Sequence, residues 1–415
     1  MLFLLKLPRI RWYLLILFVS GTLALGSTTA ALSTELRTAE RIYQQEGLTE
    51  LVHFIREDLG LLPKEPEIDW ETAQPEDLGL DRAKLFDLGN QLAELNTEAF
   101  LVVKDGLIAY EYYSPGVNPN HRLWLSTTGK AIVGSIALAL ALDAGLVELD
   151  SMAWNYIPSW KDDPLRSKVT IRHLITHSSG VENVQWGSSG LEGWKDEFDR
   201  DLSSRFHLTL NVAPIRFEPG SRFEYSSLGY YTLSYILAAS LENVPERDVQ
   251  TLMKNRIMDP MGIPTNAWTI GIGKPQHFDG LKLEYVGGGR YSARAIARIG
   301  QLMLNKGNWN GQQLIQPETV EALVSYGGSP AIRPSVEKEP AWGFGWRIND
   351  DGFFPSLPKD SFLALRGSNS VLLVIPSLDL VVVRFGDNLA HDDSMKRADL
   401  DERLFRPLVE AVVQR

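Results

Sequence analysis

Apolar positions along the chain change period several times, and each change marks an element. Over residues 33–61, Leu36, Ile42, Leu48, Leu51, Val52 and Ile55 recur at helical spacing, which predicts two helices broken at Gly47. The stretch LLPKEPEIDWETAQPEDLG (61–79) is rich in proline and acid and reads as a linker. A short helix over 81–95 follows, then AFLVVKDGLIAYEYY, two apolar runs joined by Asp105-Gly106. Asp-Gly between strand formers is a strong hairpin signal, because both turn residues must take positive φ. A second hairpin is predicted in LALRGSNSVLLVIPSLDLVVVRFGD (363–387), turning near Pro376-Ser377. About 250 residues dominated by helices lie between the hairpins, including helices over 130–144 and 230–241, and a final helix spans 393–413. Hairpins near both ends predict an α+β fold: one antiparallel β-sheet built from both chain ends, flanked by helices, with an inserted helical subdomain. Strands and helices do not alternate regularly, which speaks against a parallel sheet.

The amino terminus has its own pattern. Lys6, Arg9 and Arg11 precede an apolar run from Trp12 to about Leu25, and small residues Gly26, Ser27, Ala30 and Ala31 follow. Basic, then apolar, then small is the order of a secretory signal. The run is short of the ~20 apolar residues of a spanning helix, although Leu2–Leu5 add to it, so an anchor retained over residues 12–26 is the alternative. The expected organisation is a signal peptide or anchor over 1–31, a helical extension and linker over 32–65, and one main domain over 66–415. The expected location is outside the cytoplasm, periplasmic or extracellular.

Composition narrows the chemistry. The 415 residues include 44% apolar and 22% charged side chains, an ordinary globular balance. Formal net charge is −11, and setting aside the three cations of residues 1–31 leaves −14. An acidic chain without a long Lys/Arg run repels phosphate backbones, so no nucleic-acid partner is expected. The absence of cysteine excludes disulfides, thiolate metal sites, iron–sulfur clusters, thiol catalysis and lipid attachment through cysteine.

Familiar catalytic strings are missing. There is no HExxH, and His173 and His177, four apart in IRHLITHSSG, have no evident third metal ligand. Structural hydrogen bonding is the expected role of both, and no metal or cofactor is expected. TGKA (128–131) has Trp124 where a phosphate loop needs glycine, GGGR (287–290) lacks dinucleotide-loop spacing, and no GxSxG occurs. What remains is hydroxyl-plus-lysine chemistry. A hydroxyl needs a base within reach, and one helical turn puts residues three or four apart on one face. In HRLWLSTTGKAIVGSIALALALDAG, Thr127 is three residues before Lys130 and Ser126 is four before it. The apolar run after Lys130 would bury that helix and desolvate the ammonium. The same string at Ser335–Lys338 and Ser356–Lys359 falls in proline-containing or proline-flanked loops, where no helical turn can align it.

With these residues in place, the chain from about Leu80 onward resembles the serine β-lactamase and penicillin-binding-protein family. The nearest branch is that of the class C β-lactamases and related esterases and amide hydrolases. LITHSSGV (174–181), FEPGSRFEYSSLGYYTLSYIL (217–237), GGGRYSARAIARIGQLMLNKGNWNGQQLI (287–315), WGFGW (342–346) and VLLVIPSLDLVVV (371–383) are similar to that branch's blocks and keep their order. The resemblance implies that Lys130 is the catalytic lysine, that Tyr225 is the general acid/base, and that Ser227 ends the Tyr-x-Asn/Ser motif. It implies acyl transfer on a small-molecule or peptide ester or amide.

Two positions depart from the family. The nucleophile position three before the lysine is Thr127 instead of serine, which leaves Thr127, Ser126 after a one-residue shift, or neither as the attacking group. Where the family has Lys/His-x-Gly, this chain has Ser368-Asn369-Ser370. Arg366 is the nearest cation, and it would share a strand face with Ser368; both are candidate substrate contacts. Loss of the usual cation points to a neutral ester or amide, or to a catalytically degenerate protein that binds a peptide, cell-wall fragment or partner in the same cleft. Trp154, Trp160, Trp186 and Trp194 either line an acyl pocket or fill loops of the helical subdomain.

Overall fold

The computed structural model describes residues 68–184, 190–336, 339–366, 370–387, 389 and 397–413, together with 37–39, 41–42 and 51. The chain divides into two compact units, Met1–Pro66 and Glu67–Arg415. In the first, the described residues are helical. The leader pattern and the break at Gly47 lie outside the described residues. No described helix is long and apolar enough to cross a membrane.

In the second unit, helix α1 (Arg82–Glu94) opens where the Asp81 side chain accepts the Lys84 N–H, a cap that contributes about 1 kcal/mol. It buries Leu85, Leu88 and Leu92, one stripe at helical spacing. Strands β1 (Thr97–Lys104) and β2 (Leu107–Tyr113) form the expected hairpin. Asp105 and Gly106 supply its turn with φ of 52° and 78°.

The second predicted hairpin is three strands, β5 (Phe362–Arg366), β6 (Ser370–Ile375) and β7 (Leu380–Gly386). The polar residues 367–369, outside the described residues, interrupt its apolar run, so an extra strand precedes the expected pair. Two short strands, β3 (Ala341–Trp342) and β4 (Arg347–Ile348), complete a seven-stranded sheet in the order β3-β4-β5-β6-β7-β1-β2. Every pairing in it is antiparallel, and β1 lies against β7, so the sheet is built from both chain ends.

The sheet is covered on both faces. Leu101, Val103, Leu372, Val374, Val381 and Val383 point into the larger core, while Phe100, Val102, Leu373, Ile375 and Val382 point into a smaller one. Two buried faces explain why β6 and β7 read as continuous apolar runs without alternation. The smaller core is closed by α1 and by the C-terminal helical segment through Leu404, Phe405 and Leu408. That segment begins at Arg397 within the described residues and contains a π-helical turn over Asp401–Phe405 before ending at Glu410.

The larger core holds the helices of the middle region. The chain becomes helical at Lys130 with a π-helical turn (Lys130–Ser135) and continues as α2 (Ile136–Asp143). Helix α3 (Ser227–Ser240) starts three residues earlier than its apolar period suggested, because Ser226 caps it by accepting the Gly229 N–H at 3.1 Å. Helix α4 (Ala293–Leu304) approaches the sheet at Gly300, where an added Cβ would meet the Val381 and Leu372 side chains. From Ile68 the proline-rich segment is docked on the sheet edge: Trp70 donates to the Gly106 carbonyl at 2.8 Å, and Thr72 bridges Ile108.

Candidate active site

The hydroxyl-bearing turn is held from two sides. The short strand Leu123–Trp124 pairs with Gly289–Tyr291 and delivers the chain into a tight turn at Ser126–Thr128. Below the turn runs the glycine triplet 287–289. A Cβ on Gly129 would stand 2.6 Å from the Gly288 nitrogen and 2.7 Å from its Cα. This close backbone approach is what the glycines of TGK and GGGR permit. Ser126 has a φ of 48°, a left-handed conformation that costs a non-glycine residue of order 1 kcal/mol. Thr127 is half-buried and donates its hydroxyl to the Leu365 carbonyl of β5 at 3.4 Å. The Thr128 hydroxyl lies 2.8 Å from that of Ser370 at the start of β6. The turn is therefore pinned to the facing ends of β5 and β6. Ser368 and the Arg366 side chain lie outside the described residues.

Lys130 is 1% exposed. Its ammonium donates to the Ser227 hydroxyl at 3.3 Å and to the Tyr285 phenol at 3.4 Å. It stands 4.9, 5.2 and 6.0 Å from the ring centres of Tyr225, Tyr230 and Tyr285. Among the described residues no carboxylate pairs with it, so two hydroxyls and three ring faces offset the loss of water. Burial holds the Tyr285 and Tyr230 phenols well above the usual 10, so both remain neutral. Tyr230 donates to the Ile175 carbonyl, and the Ser227 amide donates to Asn183.

The Tyr225 hydroxyl is buried and has no hydrogen-bond partner among the described residues. An unmet buried hydroxyl costs about 1–3 kcal/mol. Its ring packs 4.4 Å from that of His177 and 6.1 Å from that of Trp342. Arg347, buried on β4, stacks over Trp342 at 4.9 Å. Burial lowers its pKa from the usual 12.5.

Lys130, Tyr225 and Ser227 thus meet from two separate segments, 127–130 and 225–227. Lys130 reaches Ser227 and Tyr285, however, and not Thr127 or Ser126. The sequence reading missed Tyr285, Tyr230, Asn183 and Arg347, and held Trp342 only as part of the WGFGW block. Tyr285 does stand two residues before the glycine triplet, the one local signal that could have found it. The two histidines do not share a helix face: His173 accepts the Thr170 amide in a helix cap, and His177 lies beyond the helix end. Trp160 donates to the Leu210 carbonyl inside the helical region, and Lys161 and Lys195 lie over Trp154 and Trp194. Those tryptophans pack the helical layer, while Trp186 is outside the described residues. Ser356 is bonded to Asp401 in a loop.

Known proteins share the fold. The sequence model of the β-lactamase family matches residues 90–402. The 6-aminohexanoate-dimer hydrolase of Paenarthrobacter ureafaciens is 24% identical over 290 residues, which cover 67% of this chain and 66% of that enzyme. A penicillin-binding-protein homologue from Caulobacter crescentus superposes with a TM-score of 0.61 at 16% identity, over 83% of this chain and 100% of its own. A family VIII carboxylesterase gives 0.60 at 16% identity, again over 83% and 100%. With a matched span that runs from α1 to the C-terminal helical segment and holds the whole sheet, this chain belongs to the β-lactamase family of hydrolases.

Proposed function

We propose that the protein is an exported hydrolase that transfers the acyl group of a neutral ester or amide to Thr127 and then to water. Its catalytic domain would span residues 66–415, preceded by a leader or anchor over 1–31 and a helical extension over 32–65. The supporting observation is the placement of the Lys130 ammonium and the Tyr225 ring against each other, one helical turn beyond Thr127. The Thr127 oxygen attacks the carbonyl carbon while its proton passes to the Lys130–Tyr225 pair, which enters the step one proton short, as lysine amine or tyrosine phenolate. Backbone amides at the helix start stabilise the tetrahedral oxyanion. Collapse expels the alcohol or amine, which takes that proton. Water then adds to the acyl-Thr127 ester, gives a proton to the pair, and the acid departs as Thr127 regains its hydrogen. Ser227, Arg366 and Ser368 are the proposed substrate contacts. No cofactor enters these steps.

The test combines a fluorophosphonate label with hydrolysis of short p-nitrophenyl esters. The proposal expects covalent mass on Thr127 and release of p-nitrophenol. An adduct on Ser126 would reassign the nucleophile. One observation supports a second reading, a protein that binds without turnover: the Lys130 hydrogen bonds go to Ser227 and Tyr285, and none goes to Thr127. A folded protein with neither adduct nor ester hydrolysis establishes that reading instead.

A further inference from the structure

Tyr225 belongs to a loop segment whose backbone is grasped by one distant residue. The amide of Glu224, just before it, donates to the His177 carbonyl at 2.8 Å. The amide of Ser226, just after it, donates to His177 Nδ1 at 3.2 Å. The His177 ring lies on the Tyr225 ring with centres 4.4 Å apart and planes 34° apart. Three contacts from one residue thus hold the amides of the residues on either side of Tyr225 and its ring. We infer that His177 is a positioning residue of the site, holding Tyr225 so that its ring stays against Lys130. This rests on the role proposed above for Tyr225.

The chemistry of the imidazole fits the task. Because Nδ1 accepts an amide hydrogen, the ring proton sits on Nε2, and an imidazolium would have no acceptor left for Ser226. Burial, then Lys130, then Arg347 keep the ring well below the usual 6.5, so it stays neutral. Trp342 meets it edge-on at 4.8 Å and Tyr230 lies 5.3 Å away, which leaves the ring little room to turn. His177 itself has a φ of 57°. Asparagine takes that left-handed conformation more readily than other non-glycine residues, and its Oδ1 can stand in for Nδ1. Asparagine therefore preserves the clamp without the ring, and phenylalanine preserves the ring without the acceptor.

The experiment uses the full chain carrying 3-fluorotyrosine at position 225, read by fluorine NMR, together with hydrolysis of p-nitrophenyl acetate. In His177→Phe the fluorine line should shift or split, and kcat should fall by roughly tenfold to a hundredfold with KM nearly unchanged. In His177→Asn kcat should return close to the wild type and the fluorine line should stay single, moved only by the loss of the stacked imidazole. A His177→Phe protein with the wild-type line and rate overturns the inference, as does a folded His177→Asn whose line splits and whose kcat falls as in His177→Phe. If His177→Phe does not fold, His177→Asn decides alone, a single line with near wild-type kcat supporting the clamp and a split line with lowered kcat rejecting it. A wild type without esterase activity but with the expected fluorine changes removes the hydrolase reading and leaves the clamp. Normal activity with an indifferent fluorine line does the reverse.

Discussion

The Lys130 ammonium lies 4.9 Å from the centre of the Tyr225 ring, although the two are 95 positions apart in the chain. Together they are the only route on offer for the Thr127 proton in the proposed mechanism. Lys130→Ala should therefore lower ester hydrolysis by about 10²–10⁴-fold and abolish fluorophosphonate labelling. Its fold should survive, since the lost contacts are two hydroxyl bonds and ring faces. Circular dichroism and melting curves beside the rate assay check both halves.

Thr127→Ser tests the nucleophile. The extra methyl restricts χ1, and the hydroxyl is held toward the Leu365 carbonyl. Serine at this position should label faster and raise the esterase rate by roughly severalfold, because its oxygen can swing between rotamers. A slower variant whose adduct maps to Ser126 would show that Thr127 is not the attacking residue.

Gly129→Ala should damage the turn and leave the rest intact. The added carbon meets backbone atoms of Gly288 at 2.6–2.7 Å, and backbone cannot move aside as a side-chain tip would. Overpacking of this kind costs about 1–3 kcal/mol. Chemical denaturation should show that loss, with a fall in labelling rate larger than stability alone explains.

Stability should fall on the acid side through His177. Its pKa is held well below 6.5 by burial first, then by Lys130 and Arg347. Below 6.5 the unfolded chain binds a proton that the folded chain refuses, so folding weakens as pH drops from that value toward the lower folded one. The steepest slope for one such group is about tenfold in the folding constant per pH unit. His173, also lowered by burial, adds in the same direction. Unfolding midpoints between pH 8 and 5 should slope downward, and His177→Asn should flatten part of the slope. An unchanged slope in that variant would refute the assignment.

Much of the architecture was readable because it is local. Asp105-Gly106 demands a turn of positive φ wherever it sits between strand formers. The apolar run after Lys130 can only be a helix buried on all sides, and Thr127 precedes the lysine by one turn in any fold that keeps that helix. The error at 363–387 came from the same source: an apolar run with a polar interruption does not say whether the break is a loop between strands or a flaw in one strand.

Periodicity assigns a residue to a face of its own element and says nothing about which distant residue it will meet there. The order of the elements, the hairpin ends of the sheet and the spacing of Thr127, Ser126 and Lys130 were therefore matters of sequence. Packing decided that Lys130 turns to Ser227 and Tyr285 and that His177 holds the amides of Glu224 and Ser226 on either side of Tyr225. It also decided that Arg347 lies stacked on Trp342 behind the site. Those contacts, apart from that last pair, join residues separated by about 50 to 155 positions, and they exist only once both sheet faces and the buried helices have been brought together by the removal of apolar surface from water.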